Sequence, residues 1–246
     1  MRRSTSVLAM GTLLAALSLT AASAAVPPAA IAADPGRPAA DVERDAARHP
    51  AEMLAFAGIK PGSKVSDFIP GSGYFSRIFA KAVGPEGHVY GFVPKAAENV
   101  ENLGPDARAV AAAYPNFTAQ ITPLDAPGFP EKLDVVWTAQ NYHDFHNFGA
   151  KAPAMFNKAA FDALKPGGVY VVVDHADVAG SGAKDTNTLH RIDPALVKQE
   201  VTAAGFVFDG ESKVLANPAD PHDKVVFDPS IRGHTDQFAF RFKKPG

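Results

Sequence analysis

Short apolar runs alternate along the chain with stretches whose apolar positions recur three and four residues apart, which predicts strand and helix in turn. "KVSDFI" (64–69) is a short apolar strand running into "PGSG". Tyr74, Phe75, Ile78, Phe79, Ala82 and Val83 then follow at the spacing of a helix packed on a sheet. "HVYGFV" (88–93) is a second strand, and the Ala-rich stretch from Lys95 to Tyr114 a second helix, broken around Gly104 and Pro105. "FTAQI" (117–121) and "LDVVWTAQ" (133–140) are the third and fourth strands. A helix over about Ala150 to Leu164 is closed by "KPGG", and "VYVVVDH" (169–175) has the unbroken apolar run of a buried parallel strand.

Ahead of the first strand, "DVERDAARHPAEMLAFAG" (41–58) is a helical lead-in interrupted at Pro50 and ended by Gly58. After the fifth strand, a helix from about Pro194 to Ala204 leads into "FVFDGESKVL". A long Pro/Asp-rich loop then reaches "DQFAFRFKK", whose alternating Phe residues mark a closing strand. The alternation predicts an α/β fold: a doubly wound, mostly parallel seven-stranded sheet with helices on both faces and a final antiparallel strand from about Asp236 to Lys243.

The N-terminus changes the domain picture. Arg2 and Arg3 precede an apolar stretch from Val7 to Leu19 and then small residues, the pattern of a secretory signal peptide. We expect a signal peptide over 1–25, a flexible linker over 26–40 and one domain over 41–246, with the mature protein periplasmic or secreted and not stably inserted in a membrane. An uncleaved anchor is the alternative. Lys plus Arg is 24 and Asp plus Glu 26, with no basic run after the first residues, so no nucleic-acid partner is expected. The chain has no cysteine, which removes disulfides and thiolate metal sites.

"AGIKPGSKVSDFIPGSGYFSRIFAKAVGPEGHVYGF", "LDVVWTAQNYHD", "FDALKPGGVYVVVDH" and "VTAAGF" resemble the successive blocks of a class I S-adenosylmethionine-dependent methyltransferase. More narrowly, "NYHDFHN", "DTNTLHRIDPALVKQEV" and "VFDPSIRGHTDQF" resemble a family of bacterial predicted methyltransferases, many with leader peptides. The resemblance implies a Rossmann-like fold, S-adenosylmethionine as cofactor and a small-molecule acceptor. It places the cofactor at Asp67, Gly71, Gly73, Tyr74, Val93, Asp125, Gln140 and Asn141. Gly71 and Gly73 let backbone approach the ligand, and the helix starting near Tyr74 offers N–H groups to its carboxylate. Two positions depart from the pattern: Ile69 stands where it has glycine, and Val93 with Pro94 where it has an acid for the ribose hydroxyls.

The densest polar residues lie past the carboxyl ends of the fourth and fifth strands, where doubly wound sheets bind ligands. His143 or His175 could serve as the base near a substrate hydroxyl, oriented by Asp144 or Asp174, and the resemblance implies substrate contacts in the region of His190, Arg191 and Asp193, between the fifth strand and the next helix. The catalytic set expected is His143, Asp144, His175 and His190, with no metal. Two alternatives stay open: a methyltransferase-fold binding protein without catalysis, and a metal enzyme using His143, His146, Asp174, His175 and Asp177. Asp193 before Pro194 also reads as a helix cap.

Overall fold

A computed structural model describes residues 27–246; the expected signal peptide lies outside them. The strands are β1 (Lys64–Phe68), β2 (His88–Pro94), β3 (Phe117–Thr122), β4 (Leu133–Ala139), β5 (Leu164–His175), β6 (Val207–Ser212) and β7 (Gln237–Lys243). They form one seven-stranded sheet in the order β3-β2-β1-β4-β5-β7-β6. β1 to β5 pair in parallel, and β7 runs antiparallel to both β5 and β6. This is the doubly wound arrangement expected from the alternation of periods.

Both faces of the sheet are apolar because successive side chains along a strand point to opposite sides. On one face, Val136, Tyr170, Val172, Phe240 and Phe242 pack with α8 (Ala152–Ala163) and α9 (Pro194–Ala203). On the other, Val135, Trp137, Val171, Val173 and Ala239 pack with α4 (Pro50–Ala57) and α5 (Tyr74–Val83). Trp137 sits between Phe75 and Phe79 of α5, at centroid distances of 4.7 and 5.3 Å. The second helix of the sequence reading is shorter than its Ala-rich stretch. α6 spans Gly104–Ala113, with a single 3-10 turn at Lys95–Ala97.

The N-terminal stretch is packed where a loose linker was expected. α1 (Pro28–Ala32) buries Ile31 in the second apolar layer, and α2 (Ala39–Val42) and α3 (Asp45–Arg48) follow. Polar contacts fasten this stretch to α5, where Tyr74 donates its hydroxyl to Asp45 at 2.6 Å and Arg77 pairs with Asp41 at 3.2 Å, and Arg37 ties it internally to Asp45 at 2.7 Å. An isoleucine that finds an apolar seat and carboxylates that find guanidinium partners override the Ala/Pro composition of the segment.

The long loop between β6 and β7 has no strand or helix, yet one buried pair pins it. Arg191, fully buried, donates to Asp220 at 2.8 and 3.1 Å and to the carbonyls of Ala176 and Lys224. Asp220 in turn accepts from the backbone N–H of Asp236 and His222. Arg191 therefore belongs to the architecture, not to a substrate site. Asp220→Ala strands a buried guanidinium and should cost about 3–5 kcal/mol in urea unfolding, whereas the double variant Arg191→Met, Asp220→Leu should recover most of that loss.

Candidate active site at the carboxyl ends of the strands

The turn after β1 is built from left-handed backbone. Ile69, Gly71 and Gly73 have φ of 55°, 57° and 83°. For a β-branched residue this conformation costs about 1–3 kcal/mol, so Ile69 must be held there by its surroundings. Its N–H donates to Phe92 O at 2.8 Å, and its carbonyl accepts from Asn141 Nδ2 at 2.8 Å. Asn141 also donates to Ala139 O at 3.2 Å and accepts the Thr138 hydroxyl. Its amide is thus engaged in clamping the β1 turn to the end of β4, which corrects its expected place among cofactor contacts.

The two glycines differ in role. A Cβ on Gly71 would meet nothing within 4 Å, whereas one on Gly73 would come within 2.5 Å of Val110 and 2.7 Å of Arg77. Gly73 lacks a side chain so that α5 can pack against α6, a correction to the expectation that it clears space for a ligand. Gly71 is the glycine that faces open space. Among the described residues the backbone N–H groups of Tyr74, Phe75 and Ser76 have no carbonyl partner, as the first turn of a helix requires. The Tyr74 side chain itself anchors the N-terminal segment and does not face the turn's open side.

Asp67, at the end of β1, is buried and accepts the Ser76 hydroxyl at 2.6 Å. Burial holds its carboxyl up at about 7, against the pull of Ser76 and the Arg48 charge. Arg48 lies over the rings of Tyr74 and Phe75, 4.7 and 5.8 Å from their centroids, and donates to Gln140 Oε1. Among the described residues no carboxylate lies within 4.0 Å of its guanidinium. Burial, reinforced by Arg44, brings its pKa down to about 10. Gln140, at φ 60°, also reaches Gln237 at 3.0 Å. Arg48, Gln140, His175, Phe227 and Arg232 line a cavity of about 280 Å³. Sequence reasoning missed Arg48; the signal was its spacing of four residues from Arg44 in the lead-in.

A second cavity, of about 640 Å³, lies past the ends of β2 and β3 and is lined by Pro94, Lys95, Leu124, Asp125, Phe148 and Met155. Asp125 is among its lining residues. Val93 is not: it is fully buried against Ala97 and Ala107. An acid at 93 would enter the core without a partner, so the missing ribose contact cannot be restored at that position. The two cavities share no lining residue, and the end of β1 with Ile69 lies in the strand between them.

At the ends of β4 and β5 the structure assembles a histidine cluster. His143, in the one-turn helix α7 (Tyr142–Phe145), places Nδ1 2.9 and 3.1 Å from the two oxygens of Asp174. Asp174 is fully buried and also accepts the N–H of His143 at 2.7 Å and of His175 at 2.8 Å. Burial opposes charge on both groups, but their mutual attraction outweighs it, raising the His143 pKa and lowering that of Asp174. His143 Nε2 faces His190 Nδ1 at 3.2 Å and Asp144 Oδ1 at 3.4 Å.

The remaining candidates separate from this cluster. His175 meets Thr235 at 2.8 Å, with its ring 6.3 Å from that of His143, and burial pushes its pKa down to about 4. It is a neutral lining residue of the Arg48 cavity. His146 pairs with Glu200 at 3.3 Å, and Asp193 caps α9 by accepting the Ala195 N–H at 2.8 Å. The grouping of His143, His146, Asp174, His175 and Asp177 around one ion is therefore not formed.

His175 has a pH signature. Between about pH 4 and its ordinary pKa near 6.5 the unfolded chain takes up a proton that folded His175 refuses, so the native state loses stability as pH falls through that window. Relative to His175→Gln, the wild-type chain should gain unfolding free energy as pH rises from 4 to 6.5 and level off above it, measured by chemical denaturation.

No protein-family model matches the chain. Over 73 residues it is 37% identical to the protein-L-isoaspartate O-methyltransferase of Ignicoccus hospitalis, a stretch covering 29% of this chain and 32% of that protein. The chain thus matches about a third of that relative's length. A SAM-dependent methyltransferase from Aquifex aeolicus superimposes with a TM-score of 0.59 at 17% identity, covering 88% of this chain and 97% of that one. Fibrillarin from Aeropyrum pernix, solved with natively bound S-adenosyl-L-methionine, gives 0.52 at 16% identity, covering 81% and 76%. With its sheet order and its antiparallel last strand, the chain has the Rossmann-like fold of the S-adenosylmethionine-dependent methyltransferases.

Proposed function

We propose that this chain binds S-adenosylmethionine and passes its methyl group to a small-molecule acceptor held beyond β4 and β5. The observation that carries the reading is the turn after β1. There the open N-terminus of α5 stands beside Arg48, a largely buried guanidinium with no carboxylate of the described residues within 4.0 Å. Free N–H groups and an unpaired cation suit a ligand carboxylate, and Asp67 next to them suits an ammonium. A methionine-like head group carries both charges. Asp125 and the apolar walls of the larger cavity suit an adenosyl group at the other end. The fibrillarin neighbour holds this cofactor in the same fold, which supports the reading.

S-Adenosylmethionine brings a methyl group already activated on a sulfonium, so the protein has chiefly to position the acceptor and handle its proton. The cluster of Asp174, His143, His190 and Asp144 lies past the ends of β4 and β5, the side on which this reading seats the acceptor. Asp174 fixes which ring nitrogen of His143 carries hydrogen and leaves Nε2 turned toward the half-exposed His190 and Asp144. A near-balanced charge supports a small acceptor over a nucleic acid. The paired arginines and apolar run of residues 1–25 support export of the chain.

One observation favours a second reading, a binding protein on the same fold: Ile69 fills the position where the resemblance has glycine, and no acid replaces the one missing at Val93. Calorimetry of the 27–246 protein with S-adenosylmethionine and its demethylated product separates the two. Micromolar binding of both is expected for the enzyme; no binding at millimolar concentration by a folded chain would overturn the cofactor proposal. Arg48→Ala should weaken cofactor affinity at least about tenfold, the loss of a charge-assisted hydrogen bond, with an unchanged far-UV spectrum.

A further inference from the structure

Three side chains of the histidine cluster turn potential ligand atoms toward one point. His143 Nε2 lies 3.2 Å from His190 Nδ1 and 3.4 Å from Asp144 Oδ1, and the last two are 3.8 Å apart. A tetrahedral zinc ion with bonds of about 2.0–2.1 Å has ligand atoms about 3.3–3.4 Å from one another. An octahedral ion with the same bonds would bring them to about 3 Å. The observed triangle has the size of a tetrahedral face, and its donors, two imidazoles and one carboxylate, are those of a borderline divalent metal.

The surroundings prepare these donors. Asp174 accepts from His143 Nδ1, which leaves the lone pair of Nε2 free for a cation; a buried carboxylate behind a histidine is the usual support of a zinc ligand. His190 is held by its backbone, at φ 55°, and by its ring against Phe227 at 4.9 Å. The cluster is closed on the His143 side, where the side chain is 3% exposed, and open on the other, where His190 and Asp144 are 30% and 38% exposed. Two facing imidazole nitrogens can share a single hydrogen, and Asp144 Oδ1 also accepts from Asn147 Nδ2 at 3.2 Å, a bond that would steady the carboxylate as a ligand.

We propose that His143, His190 and Asp144 form a zinc-type divalent cation site with one open coordination position. That position faces the open side of the cluster and would take an oxygen or nitrogen of the acceptor, lowering its pKa where it is held. The role toward the acceptor rests on the methyl-transfer reading; the binding of the ion does not. The sequence reading expected no metal, and its open alternative was a set of His143, His146, Asp174, His175 and Asp177; the proposed site keeps His143 of that set and adds its neighbour Asp144 and His190, which the fold brings close.

The test uses untagged protein, stripped with a chelator and titrated with Zn²⁺ by calorimetry and by a chromophoric competitor. One equivalent should bind, and His190→Ala or Asp144→Ala, at half-exposed positions that leave the core intact, should each weaken it at least 100-fold. Asp174→Asn should weaken it about 10- to 100-fold. His146→Ala should leave it unchanged. Failure to bind Zn²⁺ with defined stoichiometry, or binding undiminished in His190→Ala and Asp144→Ala, would overturn the site. Cofactor binding is measured separately on the stripped protein and keeps the two readings apart: a protein that binds cofactor but fails to bind added Zn²⁺ would overturn the metal site alone, and one that binds Zn²⁺ but no cofactor would overturn only the methyl-transfer reading.

Discussion

The constraint that organises this molecule is a sheet apolar on both faces. Val135, Trp137, Val171 and Val173 face one layer of helices, and Val136, Tyr170 and Val172 face the other. With both faces covered, polar chemistry has nowhere to stand except past the strand ends. Most candidate ligand residues follow from that: Asp67 at the end of β1, Asp125 after β3, Gln140 and His143 after β4, and His175 at the end of β5, with Arg48 brought to the same edge from ahead of β1. Those carboxyl ends are where a parallel sheet presents its loops and helix N-termini together.

The polar residues at that edge do two different jobs, and burial separates them. Asn141, Arg191, Asp193 and Tyr142 satisfy their polar atoms within the protein, clamping a strained turn, locking a long loop, capping a helix and bonding across to Asn157. Arg48 and the cluster of His143, His190 and Asp144 keep bonding capacity directed at open space. The strain at Ile69 belongs with the first group. A β-branched residue at positive φ persists because Phe92 and Asn141 bond its backbone on both sides, so the turn retains the shape glycine would give it.

The N-terminal stretch shows how docking can create a site. Its helices are too short to be stable alone. Tyr74 and its aromatic face against Arg37, Arg44 and Arg48 give them a place to rest, and in resting there Arg48 is carried over the start of α5. The helical lead-in thus delivers a cation to the turn.

Much of the fold was legible in the sequence, because hydrophobic period distinguishes strand from helix and the alternation of the two leaves few topologies open. The strand ends, and so the region of the site, followed directly. The cap at Asp193 was legible from its position before a proline, whereas Asp125 and His190 came forward through the family resemblance. What the tertiary structure alone decided is which of these residues meet. His190, forty-odd positions on, converges on His143 and its neighbour Asp144, while His146 and His175, nearer to His143 in the chain than His190 is, turn to Glu200 and Thr235. Likewise Gly73 serves packing against Val110, Val93 is sealed under α6, and Arg48 reaches Gln140 from the lead-in. Periodicity records which face a residue occupies, because that depends on its neighbours in the chain. Contacts between separate elements depend on how loops close in three dimensions, and no local pattern carries that information.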